Sequence, residues 1–319
     1  MQKFSEKNIQ EPSVQINNLH CRAEVLTKIR NFFAARKVME VETPLLCTTT
    51  ATDPYIGSIK VGADRYLQTS PEFPMKRLLA AGSGSIYQIS KAFRNDEMGR
   101  LHNPEFTMLE WYRLDFNHHQ LINEIDELLQ LTLNCGPAEK YFYQEIFEKY
   151  LQINPHTIDI HELKNCAKKN GIHATALDAD NPDTWLQILL THRIEPELGK
   201  NVPVFIYDFP STQAALARVR NDNPPVAERF EVYYRGIELA NGYHELADAK
   251  EQQRRFLADQ KKRQQLGYES VPVDEKLIAA LAQGFPNCAG AALGIDRLVM
   301  LAAKANSIAE VMSFVWNEV

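Results

Sequence analysis

The sequence predicts an α+β domain of helices packed on antiparallel strands, and three observations predict it. Two apolar stretches, 85–93 and 105–114, are joined by a polar loop holding Gly99, Asn103 and Pro104, the pattern of an antiparallel pair. A second run, ERFEVYYRGIELANGYHEL, reads as a hairpin turning at Arg235 and Gly236. Around these pairs apolar residues recur on single helical faces, as Val25, Ile29, Phe32 and Phe33 do within 18–36.

After that opening helix, VMEVETPLL reads as a strand stopped by Pro44, which has no N–H to donate. Residues 65–68 read as a strand. SPEFPMKRLLAAG reads as a helix with Ser70 at the N-cap, Pro71 at the first position and Gly82 past the end. Glu72 then lies in a first turn, where the helix dipole favours a carboxylate. Residues 118–133 read as a helix and 138–198 as a mostly helical insertion without a chemical motif. The apolar strand VPVFIYDFP precedes the hairpin, and a glutamine-rich helix over about 247–265 follows it. Finally CAGAALG, a small-residue strand, runs directly into the helix IDRLVMLAAKA.

The 319 residues, 45% hydrophobic, can build a sizeable core as one large domain or two small ones. Five cysteines, Cys21, Cys47, Cys135, Cys166 and Cys288, form no Cys-x-x-Cys pair, which argues against a disulfide framework or a zinc ribbon. The start MQKFSEKNIQ lacks the apolar core of a signal peptide, and no run of about 18 apolar residues follows. A soluble cytoplasmic protein without membrane contact is expected. The net charge of −6 gives no global drive toward nucleic acid.

Arginine presents a rigid, permanently charged fork that matches phosphate oxygens. Arg94, in FRNDEMGRLHNPEFT, and Arg297, in AALGIDR, would hold a polyphosphate from two sides if they converge, which suits ATP activation of a carboxylate. Folding the hairpin about Arg235 and Gly236 pairs Tyr233 with Glu238, so Glu231 and Glu238 share a face about 7–8 Å apart. Such a pair fits Mg2+, which takes one or two carboxylates and completes its shell with water and phosphate; a solvated hairpin face is the plainer alternative. Strand alternation puts Phe106, Met108, Glu110 and Tyr112 on one face. A glutamate buried there needs a cationic partner. Glu72, Glu110 and Glu245 would cage a substrate with two ammonium groups, Tyr112 and Tyr243 covering its stem, unless each glutamate instead meets a lysine or arginine of the protein. His102 is assigned only nucleotide contact, because phosphoryl chemistry needs mainly positioning and charge neutralisation. No Ser-His-Asp set, P-loop or GxGxxG is readable.

These segments resemble the catalytic core of the class II aminoacyl-tRNA synthetases, and specifically the lysyl enzymes. VMEVETPLL resembles motif 1, FRNDEMGRLHNPEFT motif 2 with Arg94, and AGAALGIDR motif 3 with Arg297. The match runs from about residue 18 to the end, apart from the insertion. It implies the class II catalytic fold, an antiparallel sheet flanked by helices, over a single domain 1–319, with motif 1 building a homodimer interface. It also implies catalytic roles for Arg94 and Arg297. ATP contact is implied for those two and for Asn95, Asp96, His102, Asn103, Phe106, Glu238, Leu239 and Gly294, and metal contact for Glu231 and Glu238. Ser70, Pro71, Glu72, Glu110, Tyr112, Asn241, Tyr243, Glu245 and Ala292 are implied to line the amino-acid site.

Three departures narrow the relative. Motif 1 already occupies 38–44, leaving no room before it for an anticodon-binding barrel, which needs on the order of 100 residues. Ala292 stands where the tRNA-charging enzymes have glycine; its methyl crowds an α-amino group and suits an amine one carbon further along. Asp96 stands where motif 2 normally has glutamate, with a shorter reach. The missing barrel, Ala292 and the run EMGRLHNPEFTMLEWYR together resemble the free-standing lysyl-type relatives that use ATP and Mg2+ to attach (R)-β-lysine to a lysine of elongation factor P, without stable tRNA binding. Charging of a tRNA with lysine, or a catalytically silent regulatory subunit, are the competing readings.

Overall fold

The structure is a computed structural model describing residues 14–95, 98–173 and 180–318. The chain opens with α1 (Ile16–Ala35), whose Val25, Ile29, Phe32 and Phe33 are buried as their spacing predicts. The strand expected over VMEVETPLL shrinks to β1 (Met39–Glu40). It pairs in parallel with the first residues of β5, and the Val41 N–H, bonded to the Tyr87 carbonyl, is the last to reach that partner. A small antiparallel sheet follows, made of β2 (Leu46–Cys47), β3 (Lys60–Val61) and β4 (Arg65–Leu67).

Next, α2 (Glu72–Ala80) begins one residue later than the cap reading places it, with Pro71 at the N-cap. Ser70 still accepts the Glu72 N–H through its hydroxyl. The pair β5 (Ile86–Phe93) and β6 (Glu105–Leu114) is antiparallel, and α3 (His118–Leu133) opens with a reciprocal Asn117–Gln120 capping box. The segment read as a helical insertion starts instead with a strand, β7 (Glu139–Phe142), before α4 (Tyr143–Leu151), α5 (Ile160–Lys169) and α6 (Pro182–Leu189). β7 pairs in parallel with β8 (Val204–Pro210), so the insertion is anchored in the sheet. Beyond β9 (Val219–Arg220), the hairpin β10 (Val226–Tyr234) and β11 (Ile237–His244) turns at Arg235 and Gly236, both at positive φ. Then α7 (Ala249–Gln265) and α8 (Glu275–Gln283), capped by Asp248 and Asp274, lead to β12 (Cys288–Gly294) and α9 (Ile295–Ala302).

Among the described residues the main sheet runs β1-β5-β6-β12-β11-β10-β8-β7, with β9 beside β10. Alternation decides what each face does. Leu109, Trp111, Phe205, Phe230, Val232, Ala291 and Leu293 point to one face and build the main core with α1, α3 and α9. On the other face, Ile206, Phe209 and Tyr233 meet the insertion helices at one end, while Tyr112 and Cys288 meet α2 at the other. Between these two covers the centre of the sheet is open, and there the cavity forms.

Candidate active site

The cavity, of about 1020 Å³, lies over β6, β12 and β11. Its floor is open because β12 carries Gly290 and Ala292 on that side. A Cβ on Gly290 would stand 2.3 Å from the Tyr112 ring and 2.7 Å from Glu245 Oε1. Ala292 lies in register with Glu110 on β6 and Asn241 on β11. A bulge in the hairpin completes the wall. Tyr233 pairs with Glu238 but Val232 pairs with Ala240, so one extra residue enters β11 at Leu239. Strict alternation would send Asn241, Tyr243 and Glu245 to the face opposite Glu238; the extra residue turns them into the cavity beside it.

At one end, the carboxylates gather. Glu110 Oε2 accepts from the Ser70 hydroxyl at 2.6 Å and Oε1 from the Tyr112 hydroxyl at 2.7 Å. Burial and then the Glu72 charge raise the Glu110 carboxyl to about 8, against those two bonds and Lys76. Burial raises Glu245 to about 7, with Lys76 opposing and Glu72 adding. Lys76, unremarked in the sequence, is sandwiched between them: its Nζ is 2.7 Å from Glu72 and 2.5 Å from Glu245. The plainer alternative, a protein cation for each glutamate, therefore holds for two of the three. Asn241 Oδ1 is buried without a hydrogen-bond partner among the described residues, an acceptor that a substrate ammonium fits.

At the other end stand the arginines. Arg94 lies over the Phe106 ring, 5.2 Å from its centroid. The Arg297 guanidinium donates to the Glu238 carbonyl at 2.8 Å and the Leu101 carbonyl at 3.3 Å, and meets His102 Nε2 at 2.7 Å. Leu239 and Gly294 line the same end. Asn103 also lines it, although its amide is bonded to the Glu105 carbonyl and the Trp316 N–H. Pro71, Asn95 and Glu231 do not line the cavity. Asn95 packs against Gly57, whose carbonyl accepts its N–H at 2.9 Å, and Asp96 lies outside the described residues. Both oxygens of Glu231 are engaged, by Arg229 and by the Tyr233 hydroxyl, whereas the Glu238 carboxylate is partly exposed. Burial and Glu231 raise the Glu238 carboxyl, against Arg297.

Glu195 was invisible to the sequence reading. It is held up at about 7 by burial and by Glu238 and Glu231, so the insertion brings a carboxylate to the phosphate end. Glu195 lies in no motif, and only the fold sets it beside Glu238; Lys76 stands one helical turn after Glu72, a spacing the predicted helix already gives, and only its contact with Glu245 is made by the fold. Outside the cavity, His118, Glu228 and His244 bring ligand-type atoms within 4.8 Å of one another. The Arg220 guanidinium already supplies the cation there, 3.4 Å from Glu228 and 2.7 Å from Asp208.

Arginines entering one face of an antiparallel sheet, from a strand-pair loop and from a strand-to-helix junction, are the class II synthetase arrangement. The chain belongs to that family: the family model described as tRNA synthetases class II (D, K and N) matches residues 8–318. It is similar to elongation factor P–(R)-β-lysine ligases of Salmonella paratyphi A (strain ATCC 9150 / SARB42), Salmonella dublin and Salmonella agona (strain SL483). Each is 50% identical to it over 320 residues, covering 98% of this chain and 98% of the relative.

Proposed function

We propose that this chain is a ligase that activates (R)-β-lysine with ATP and transfers it to a lysine ε-amine of elongation factor P. The observation that carries the reading is one cavity with a three-carboxylate end, floored by Ala292, facing an arginine end. A lysine-like substrate would place its two ammonium groups among Glu72, Glu110, Glu245 and the Asn241 carbonyl oxygen, Tyr112 and Tyr243 flanking the stem. Its carboxylate then points toward Arg94. The carboxylate oxygen attacks the α-phosphorus of ATP, the bond to the bridging oxygen breaks, and pyrophosphate leaves. Arg94 neutralises charge at the α-phosphate and Arg297 holds the distal phosphates. The acceptor amine next attacks the adenylate carbonyl, releasing AMP and a proton.

Mg2+, when bound, would neutralise phosphate charge. Glu238 fits that role, and Glu231 fits it only by giving up Arg229 or Tyr233. We take residues 1–319 as one catalytic domain, since the insertion helices share a core with β8 and β10, and we take the protein to be a cytoplasmic homodimer. No helix among the described residues is long and apolar enough to cross a membrane.

The test is acceptor labelling. Purified protein, ATP and labelled (R)-β-lysine should label elongation factor P and leave tRNA unlabelled. Stable labelling of tRNA alone would overturn the reading, and absence of pyrophosphate exchange with every lysine isomer would favour a silent subunit.

A further inference from the structure

Among the described residues Lys76 is the only buried lysine, 1% exposed, and no step of the reaction above uses it. A lone ammonium in so dry a place would give up its proton. Burial does work against it, but Glu245 and Glu72 outweigh burial and hold the Lys76 ammonium charged. Its Nζ takes Oε1 of Glu72, one turn earlier on α2, and Oε2 of Glu245, which follows β11. Helix and sheet are thus joined at the cavity through one charge. Each carboxylate keeps a second oxygen, and Oε1 of Glu245 lies over Gly290 beside the Tyr112 ring, where both residues line the cavity.

Three carboxylates against one ammonium leave this end with two net negative charges when all are ionised, the complement of a diammonium ligand. We propose that Lys76 is a positioning residue that takes one oxygen each of Glu72 and Glu245, turns their other oxygens toward the substrate, and sets the charge that selects two ammonium groups. The inference rests on the amino-acid reading above.

The charged groups felt by Lys76 are Glu72 on its own helix, Glu245 after β11 and Glu110 on β6, and around those glutamates stand Tyr112 on β6 and Tyr243 and His244 on β11. Cys288 on β12 and Arg218, which donates to the Glu245 carbonyl at 2.8 Å, complete the set. Without Lys76, three carboxylates share one dry space. Lys76 lowers the proton affinity of Glu110 and Glu245, so without it these carboxyls hold their protons more tightly and amino-acid binding moves to higher pH. With Glu245 neutralised instead, the Lys76 charge is under-compensated and repels the substrate.

The experiment is titration calorimetry of (R)-β-lysine and of norleucine, which has one ammonium, across pH 6–9, with ATP binding measured in parallel. Lys76→Met should weaken (R)-β-lysine binding about tenfold or more, narrow its advantage over norleucine, and leave ATP affinity within about twofold. It should also move the rising limb of binding up by about one pH unit. In a Glu245→Gln background the same change should strengthen (R)-β-lysine binding, a reversal that a purely structural lysine would not produce. That background also keeps the idea testable if Lys76→Met alone does not fold, since the double variant removes both charges of the Lys76–Glu245 pair and leaves only the partly exposed Glu72 without its lysine. An unmoved pH limb with unchanged discrimination, or weakening in both backgrounds, would overturn the proposal. If the unaltered protein binds no lysine isomer while binding ATP, the amino-acid reading fails instead.

Discussion

At the residue scale, the cavity works by placing charges where water is scarce. Ala292 occupies the floor position in register with both Glu110 and Asn241, so its methyl bears on any amine held between them. Ala292→Gly should raise kcat/KM for α-lysine relative to (R)-β-lysine by about tenfold, the scale of one methyl in a packed pocket; an unchanged ratio in pyrophosphate exchange would count against the methyl. Before substrate binds, Glu110, held at about 8, keeps a proton near neutral pH, and Glu245, held at about 7, does so in part. A diammonium substrate favours the ionised forms. Its KM should therefore fall as pH rises from 6 to 8, with proton release visible as buffer-dependent heat; equal heats in buffers of different ionisation enthalpy would refute this. The same shifts have a stability consequence. Both folded pKa values lie above the ordinary 4.5, so the folded protein binds more protons and its stability falls as pH rises from about 4.5 toward about 8. Of these residues, the motif members were legible as types in a pattern. Glu195 and the Glu245 contact of Lys76 were not, because a buried charge and a surface charge have the same letter.

At the element scale, β12 and the hairpin carry the site. β12 is built of small residues because its two neighbours send Tyr112 and Glu245 across it. Gly290→Ala would put a methyl 2.3 Å from the Tyr112 ring and 2.7 Å from Glu245, so both walls must move. We expect it to weaken amino-acid binding at least about tenfold while ATP KM changes by less than about twofold. Parallel loss of both would mean that the sheet, not the amino-acid end, is disturbed. The hairpin turn was legible from Arg235-Gly236, but the bulge at Leu239 was not. No turn residue marks it. It is selected by burial, since it lets Leu239 and Ala240 both reach the core while Asn241 stays in the cavity.

At the scale of the whole molecule, the two faces of one sheet are divided between stability and chemistry. Helices α1, α3 and α9 close one face, and Asp296 on α9 ties α1 and β6 together, accepting from Arg22 at 2.6 Å and from the Thr107 N–H at 2.7 Å. The edge strand β1 and the start of the small sheet after it expose apolar side chains: Met39 on β1 is 49% exposed, Leu45 39% and Leu46 on β2 42%. Such an edge invites a symmetric partner. Light scattering should give a dimer mass that Met39→Arg with Leu46→Arg reduces to a monomer; an unaltered protein that is monomeric at micromolar concentration would exclude that interface.

By itself the sequence determined the antiparallel pairs, the helix faces, the motif arginines and the carboxylates available to an amino acid, because periodicity and residue type are local properties. The tertiary structure alone decided which of those charges share a space. The bulge turned Asn241, Tyr243 and Glu245 to the side of Glu238, and the packing of α2 brought the Glu72–Lys76 pair against Glu245. Those outcomes depend on register and on distance in a low-dielectric interior, and neither is written in any single stretch of chain.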